Sequence, residues 1–339
     1  MNYHIITFGC QMNKSDSERI ATSLEKKGYS LASNMKEADL IVVNMCSVRQ
    51  SAVDRVNGLI LKLKKMKALP AGRQVKTALT GCILKKDRKR FKFDEIWDSK
   101  NYFDITPTCQ SKSSAFVPIS NGCNNFCSYC VVPFARGRLV CRSHQQIIKE
   151  FKRLIKNGFK EIWLLGQNVN DYNSPSDKSI NFAKLLKMVN QIPGDFSIRF
   201  MSPNPKNFTN ELISAMAESK KVAKYLNLPV QSGDDEILKK MKRSYTVKQY
   251  KDLIRRIRRK MPKINLSTDA IIGYPGETKK QFQNTAKLFK EIGFDMAYIS
   301  KYSPRSGTAA FQIKDNITLK EKKQREKILR KLIKKHEPR

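Results

Sequence analysis

The chain has 339 residues, 40% of them hydrophobic, which is enough to bury the cores of two globular domains. Lysine and arginine total 66 against 30 acidic residues, and the net charge of +36 favours a polyanionic partner such as nucleic acid, although a basic solvated surface accounts for it equally well. No apolar run is long enough to span a membrane and the N-terminus lacks a basic leader, so we expect a cytoplasmic protein without a membrane partner.

The first hundred residues alternate short apolar runs with helical patterns. This alternation is typical of an open parallel sheet covered by helices, and it predicts an N-terminal α/β domain over residues 1–107. The predicted strands are 3–8, 39–44 and 75–80, and the predicted helices are 16–28 and 51–66.

A cysteine follows each of these three predicted strands by two residues: Cys10, Cys46 and Cys82. The carboxyl ends of parallel strands meet at one edge of a sheet, so the three thiols are expected to be neighbours in space. Taken singly, each cysteine is explained equally well as a small buried residue in a turn. Because all three stand at the same distance after a strand, a common site is favoured. Without an export signal, the eight cysteines are more consistent with metal ligands or reactive thiols than with disulfides.

Polar residues without a sustained period occupy 99–114, and we place the domain boundary there, with a linker at 108–114. Residues 68–74 are interpreted as a surface loop before the third strand. The second domain is then predicted over 115–339.

The second domain shows six apolar runs, each but the last followed by a helical pattern. Six such units are too few for the eight of a closed barrel, so we expect a partial (β/α)6 barrel with its site at the carboxyl ends of the strands. The predicted strands are 116–120, 160–165, 196–201, 224–230, 264–272 and 296–302.

A loop with three thiols follows the first of these strands, in the stretch GCNNFCSYC at 122–130. A structural zinc site needs four ligands, and neither a second cysteine pair nor a histidine lies within the usual distance. An iron–sulfur cubane bound by Cys123, Cys127 and Cys130 would leave one iron without a protein ligand, where a small molecule can be activated.

The pattern Cys-x-x-x-Cys-x-Tyr129-Cys resembles the signature of the radical S-adenosyl-L-methionine (SAM) enzymes. Further blocks resemble the methylthiotransferase family, and GCQMN and CSVRQSA are most similar to the branch that modifies isopentenyladenosine at position 37 of tRNA. The blocks are residues 7–18, 46–58, 122–137, 164–172, 202–213, 228–246, 268–278 and 302–308.

The resemblance implies two 4Fe-4S clusters, one on Cys123, Cys127 and Cys130 that cleaves SAM, and an auxiliary one on the three strand-end cysteines. It implies hydrogen abstraction from C2 of the adenine and attachment of a methylated sulfur, with a second SAM as methyl donor. The implied partners are the anticodon loop of tRNA and a reductant such as flavodoxin or ferredoxin, and we expect a monomer.

Candidate SAM contacts lie mainly at the ends of the barrel strands, where amides, hydroxyls and glycines suit a zwitterion. They are Tyr129, Gly166, Gln167, Asn168, Ser202, Gln231, Ser232, Asp269, Gly273 and Glu277.

Candidate tRNA contacts are cations for phosphate, which also suit the SAM carboxylate, and rings for a displaced adenine. They are Phe134, Arg136, Tyr302 and Arg305.

The family usually continues into a small RNA-binding β-barrel (TRAM) domain, whereas this chain ends with HEPR at 336–339. This leaves two interpretations: the gene is truncated, or the protein is a short version in which basic helices at 253–260 and 319–335 replace that contact. Cys109 and Cys141 belong to neither trio and are interpreted as spare thiols.

Two alternatives to the modification of isopentenyladenosine stay open. One is the same chemistry on threonylcarbamoyladenosine or a ribosomal protein, and the other is a non-catalytic, metal-stabilised RNA-binding protein.

Overall fold

The computed structural model describes residues 1–67, 74–107 and 114–333 of the chain. Its first sheet has five parallel strands in the order β2-β1-β3-β4-β5. The strands are β1 Asn2–Phe8, β2 Ser30–Leu31, β3 Leu40–Cys46, β4 Lys76–Cys82 and β5 Glu95–Ile96. The helices of this part are α1 Gln11–Glu25, α2 Gln50–Lys67 and α3 Lys85–Arg90. The predicted parallel α/β arrangement is confirmed.

Helices cover both faces of this sheet. On one face Ile20 and Leu24 of α1 pack against Tyr3 and Val42, and on the other the apolar side of α2 packs against Ile41 and its neighbours. All seven residues of β3 are buried, which explains its unbroken apolar character.

Parts of two predicted segments fall outside the described residues. These are the surface loop at 68–74, except for its last residue, and the linker at 108–114 with Cys109, except for Ser114. The division into domains at this linker stays a prediction.

Six further parallel strands follow in chain order and form the barrel wall. They are β6 Ser114–Pro118, β9 Glu161–Leu165, β10 Ser197–Phe200, β11 Tyr225–Asn227, β12 Asn265–Ile272 and β13 Met296–Lys301. The wall consists of two three-stranded sheets, and a parallel bridge between Ile198 and Val222 joins them. Within the described residues β13 pairs only with β12 and β6 only with β9, so the predicted partial (β/α)6 barrel is confirmed.

Helices surround this wall, and a small antiparallel pair stands at the base of the cysteine loop. The pair is β7 Ser120–Asn121 with β8 Val140–Cys141. The helices are α4 Val132–Arg136, α5 His144–Lys156, α6 Phe182–Asn190, α7 Asn210–Glu218, α8 Asp235–Lys240, α9 Val247–Lys260, α10 Lys279–Ile292 and α11 Leu319–Lys331. Hydroxyl capping boxes begin α5, α9 and α10, which fixes where these helices start.

The N-terminal sheet and the barrel are joined through α1. Ser15 of α1 donates to the carbonyl of Phe116 in the edge strand β6. Arg19 of α1 pairs with Glu150 of α5 at 2.7 Å, and Arg142 pairs with the same carboxylate at 2.7 Å. Because these charges are buried, each must keep its partner, and the contact holds the two sheets in a defined relation.

None of the helices in the described ranges combines the length and apolar character needed to cross a lipid bilayer.

Candidate active site

The cysteine loop is held rigidly at the open end of the barrel. Backbone bonds join Cys123 to Gly137 at 3.2 Å and Cys130 to Cys127 at 3.0 Å. Ser128 donates to the carbonyl of Lys240 at 2.7 Å and lies 2.9 Å from the hydroxyl of Tyr274. The loop therefore presents its three thiols from a fixed backbone.

Gly122 allows the loop to turn back on itself. Its φ is +82°, and a Cβ atom there would lie 2.2 Å from the carbonyl oxygen of Arg138. A larger residue would push apart the two strands that close the loop, so glycine is required at this position.

A cavity of about 310 Å³ lies against the three cysteines. It collects residues from five of the strand ends, as expected for ligand sites in α/β barrels. Nine of the residues that sequence analysis singled out line it: Cys123, Cys127, Cys130, Tyr129, Gln167, Asn168, Ser202, Gln231 and Asp269.

Two of these residues have strained backbones. Ser202 and Gln231 adopt φ values of +59° and +68°, in the left-handed region that residues other than glycine seldom occupy. Strain of this kind persists where the surrounding structure imposes it, and it is concentrated at functional sites. Both residues lie in the cavity wall, Ser202 two residues after the end of β10 and Gln231 in a parallel bridge to Ala270 of β12, which supports a ligand site there.

Arg243 is a cavity residue that sequence analysis missed. Its guanidinium contacts the sulfur of Cys127 at 3.5 Å and donates to the Tyr245 hydroxyl at 3.0 Å. The only sequence signal was that Arg243 lies in MKRSYT, part of a block that resembles the methylthiotransferase family. This stretch does not directly follow a strand, so the search of strand ends did not include it. The side chain supplies a positive charge beside the thiols and at the cavity wall.

Burial changes the proton affinities of this site. It raises the pKa of the Cys123 thiol, and it raises the pKa of Cys130 to about 12. Burial also raises the pKa of the Asp269 carboxyl, against the lowering effect of Asn227. Since only thiolates bind metal, ligation here must displace protons.

Four predicted SAM contacts lie away from the cavity lining: Gly166, Ser232, Gly273 and Glu277. Ser232 bonds within its own turn, accepting from the backbone of Asp234 at 3.3 Å. Glu277 is buried in an ion pair with Arg325 at 2.6 Å and accepts from the backbone of Gly273 at 2.7 Å. Gly166 adjoins Gln167, and a Cβ atom there would lie 2.5 Å from a serine hydroxyl, so its role is close packing.

The second trio of cysteines converges at the edge of the N-terminal sheet. Cys46 and Cys82 are the last residues of β3 and β4 and lie opposite each other in register. Cys10 is the residue before α1. A hydrogen bond between Cys46 and Cys82 lowers the pKa of Cys46 and raises that of Cys82, and burial raises the pKa of Cys10.

Neither trio is a single-ion site. In the described ranges no three histidine, cysteine or acidic side chains are placed to share one metal ion. A cubane makes a different demand, because each thiolate binds a different iron. All seven cysteines of the described residues are free thiols, and Cys141, half-buried in β8, stands outside both trios.

A larger cavity of about 740 Å³ lies between the N-terminal sheet and the barrel. Cys10 lines one side of it, and Asn227 and Tyr298 line the barrel side. Ser202 and Asp269 border both this cavity and the smaller one, so the two cavities adjoin each other. Cys10 thus faces a cavity that adjoins the one lined by the barrel cysteines.

Two predicted tRNA contacts, Arg136 and Tyr302, are buried in this structure. Arg136 is only 3% exposed because it turns into the junction with the N-terminal sheet. Tyr302 is buried, with its ring 5.6 Å from that of Tyr274 and the ammonium of Lys322 over it. Phe134 is 49% exposed, and Arg305 donates to the side chain of Gln50.

Comparison with known proteins places both halves of the chain. Residues 117–289 match the Radical SAM superfamily, and residues 2–99 match the uncharacterized protein family UPF0004. The chain is 41% identical to a tRNA-2-methylthio-N(6)-dimethylallyladenosine synthase of Lachnoclostridium phytofermentans, over 94% of this chain and 76% of that protein. A protein of the same name from Caldicellulosiruptor saccharolyticus is 40% identical, over 98% of this chain and 77% of that one.

Solved structures support the fold. The radical SAM methyltransferase TsrM from Kitasatospora setae superposes with a TM-score of 0.62 at 14% identity, over 91% of this chain and 77% of that chain. The cobalamin-dependent radical enzyme OxsB superposes with a TM-score of 0.60 at 11% identity, over 97% and 56% of the two chains. By its sequence relatives, the chain belongs to the tRNA-2-methylthio-N(6)-dimethylallyladenosine synthases of the radical SAM superfamily.

Proposed function

We propose that this protein adds a methylthio group to C2 of N6-isopentenyladenosine beside the anticodon, at position 37 of tRNA. The relatives carry the name of that activity. The observation that carries the proposal here is geometric: the barrel trio lines one cavity, Cys10 of the other trio lines a second, and the two cavities share Ser202 and Asp269 in their walls.

The barrel trio has the donor set of a SAM-cleaving 4Fe-4S cluster. Three thiols on this loop would hold a cubane with one iron free of protein ligands, and the adjoining cavity of about 310 Å³ offers room for a small ligand. When bound, the cluster and SAM supply the deoxyadenosyl radical that takes hydrogen from C2 of the adenine, and a second SAM supplies the methyl group.

Residues of the cavity wall would hold SAM in place. Arg243 contacts Cys127 of this trio and suits the SAM carboxylate, and Asp269 suits the amino group. Gln167 is already oriented, since its side-chain oxygen accepts from the backbone of Gly122 at 2.6 Å. The strained backbones of Ser202 and Gln231 turn these residues toward the same space.

Cys10, Cys46 and Cys82 would hold the auxiliary 4Fe-4S cluster at which sulfur is transferred. They fit it because three free thiols meet at one sheet edge, with Cys10 on the wall of the larger cavity. That cavity, of about 740 Å³, is in the size range of small-ligand sites and would receive the extruded adenosine. Tyr298 in its wall offers a ring for stacking.

The remaining partners follow from this activity. The substrate is tRNA, and the electrons for the clusters would come from a reductant such as flavodoxin or ferredoxin. Action as a monomer in the cytoplasm stays a prediction.

The decisive test is anaerobic incubation of the reconstituted protein with SAM, a reductant and isopentenylated tRNA, followed by nucleoside mass spectrometry. We expect a methylthio adduct on the isopentenyladenosine and about eight irons per chain, as two cubanes require. C123A should abolish SAM cleavage and modification, whereas C10A should abolish modification while SAM cleavage continues.

Three other results would contradict the proposal. An adduct on threonylcarbamoyladenosine or a ribosomal protein, with none on isopentenyladenosine, would assign the same chemistry to another substrate. One zinc per chain without sulfide would indicate a metal-stabilised RNA-binding protein instead. Loss of SAM cleavage in C10A would mean that the two trios do not act separately.

A further inference from the structure

Arg136 belongs to the barrel, and its buried side chain contacts Cys82 of the N-terminal trio. It is the last residue of α4, the short helix that begins at Val132, two residues after Cys130. Its Nε lies 2.6 Å from the sulfur of Cys82, and its two terminal nitrogens donate to Asp16 at 2.6 Å and to Asn121 at 3.0 Å. The barrel loop therefore reaches across the junction and contacts a thiol of the other trio.

The environment explains why this arginine takes a fixed position. Its side chain is 1% exposed and that of Asp16 is 7% exposed, so each charge needs the other. A guanidinium presents its donors in a rigid fork, so the bond to Asp16 also fixes the direction of the Nε–H. That remaining donor points at the sulfur of Cys82.

We propose that Arg136 is a positioning residue that donates a hydrogen bond to the Cys82 sulfur of the auxiliary cluster and thereby raises the reduction potential of that cluster. The inference rests on the proposed function for the identity of the cluster. Hydrogen bonds to ligand sulfurs and the net charge around a cluster set its potential. A donor with a positive charge stabilises the reduced, more negative form.

Asp16 acts on the same cluster through Arg136. Its carboxylate holds the guanidinium in place and offsets its positive charge. Substitutions at the two positions should therefore change the potential in opposite directions: removing the arginine lowers it, and removing the carboxylate raises it. A role confined to folding would not produce this pair of signs.

The experiment uses the full chain with Cys123, Cys127 and Cys130 changed to alanine, so that only the auxiliary cluster assembles. The potential of the reconstituted protein is measured by a redox titration followed by electron paramagnetic resonance. We expect R136Q to keep about four irons per chain with a more negative potential, R136K to fall between R136Q and the parent, and D16N to have a more positive potential.

Arg19 provides the matched control. It is also a buried arginine that crosses the junction to a carboxylate, but its side chain donates to Glu150, to the hydroxyl of Ser15 and to the carbonyl of Ile105 rather than to a sulfur. R19Q should leave the potential of the parent unchanged.

The inference is overturned if R136Q and the parent have the same potential. Where R136Q does not retain a cluster, D16N decides, because an unchanged or more negative potential there contradicts the proposal. No cluster in the parent background would instead contradict the assignment of Cys10, Cys46 and Cys82, which separates the failure of the proposed function from the failure of this inference.

Discussion

Among the described residues, each thiol trio has an arginine in contact with one of its sulfurs. Arg243 contacts Cys127 in the barrel, and Arg136 contacts Cys82 in the N-terminal sheet. The two side chains nevertheless face different surroundings. Arg136 is committed to a carboxylate, whereas Arg243 has a tyrosine hydroxyl and an amide as its other partners and borders a cavity. Of the two, only Arg243 has a positive charge available to a bound anion.

This difference predicts the effect of substitution at Arg243. R243Q should weaken SAM binding by about 10- to 100-fold, because it removes a charge-assisted bond to a carboxylate in a buried site. R243K keeps the charge but not the fork, so its affinity should lie between those of R243Q and the parent. Equilibrium dialysis with labelled SAM on the anaerobically reconstituted protein measures both.

Iron content is measured first, so that loss of the cluster is distinguished from loss of SAM affinity. Arg258 is the control, because it binds the carbonyls of Ile292 and Gly293 at the C-terminal end of α10. R258Q should bind SAM like the parent. Equal affinity of R243Q and the parent at equal iron content would remove Arg243 from the proposed SAM site.

At the scale of the elements, the strands and the meeting of their ends were predictable from the sequence. Unbroken apolar runs indicate buried parallel strands, and the ends of such strands share an edge, so Cys46 and Cys82 are neighbours by register alone. Side-chain direction was not predictable, because it depends on distant partners. Glu277 pairs with Arg325, 48 residues later in the chain, instead of lining the SAM cavity. Arg136 pairs with Asp16, 120 residues earlier, instead of lying at the surface.

The end of β4 should be sensitive to a single methyl group. Gly81 has a φ of +107°, and a Cβ atom there would lie 2.3 Å from the carbonyl of Met45 and 2.4 Å from the Asn44 side chain. G81A must therefore shift β4 against β3 and displace Cys82 from Cys46. We expect iron per chain to fall from about eight toward about four, with the barrel cluster retained and SAM still cleaved.

Gly58 supplies the matched substitution. It lies in α2, exposed, with no atom within 4 Å of an added Cβ. G58A should keep full iron content and stabilise the protein by about 0.5–1 kcal/mol, since alanine loses less backbone entropy in a helix. Normal iron content in G81A would mean that the strand register does not position the auxiliary ligands.

At the scale of the whole molecule, part of the excess positive charge lies at the larger cavity. Lys14, Arg49 and Arg330 line that cavity and are exposed. Arg330 is paired with Glu326 at 2.7 Å, which leaves Lys14 and Arg49 as the cations best placed for phosphate. The basic residues of α9 lie instead on a helix that packs beside α7 on the outside of the barrel.

The charge of +36 predicts that binding to an anticodon stem-loop weakens steeply with salt, because neutralised phosphates release counterions. K14Q/R49Q should lower affinity at low salt and reduce the slope of log K against log salt by about 1.4 to 1.8, roughly 0.7 to 0.9 for each of the two phosphates that are no longer neutralised. R255Q/R259Q removes the same charge from α9 and should leave the slope unchanged. If the α9 pair changed the slope and the cavity pair did not, the RNA would lie along the flank of the barrel. Affinity independent of salt would argue against a nucleic-acid substrate, because a protein cation cannot neutralise a phosphate without displacing ions.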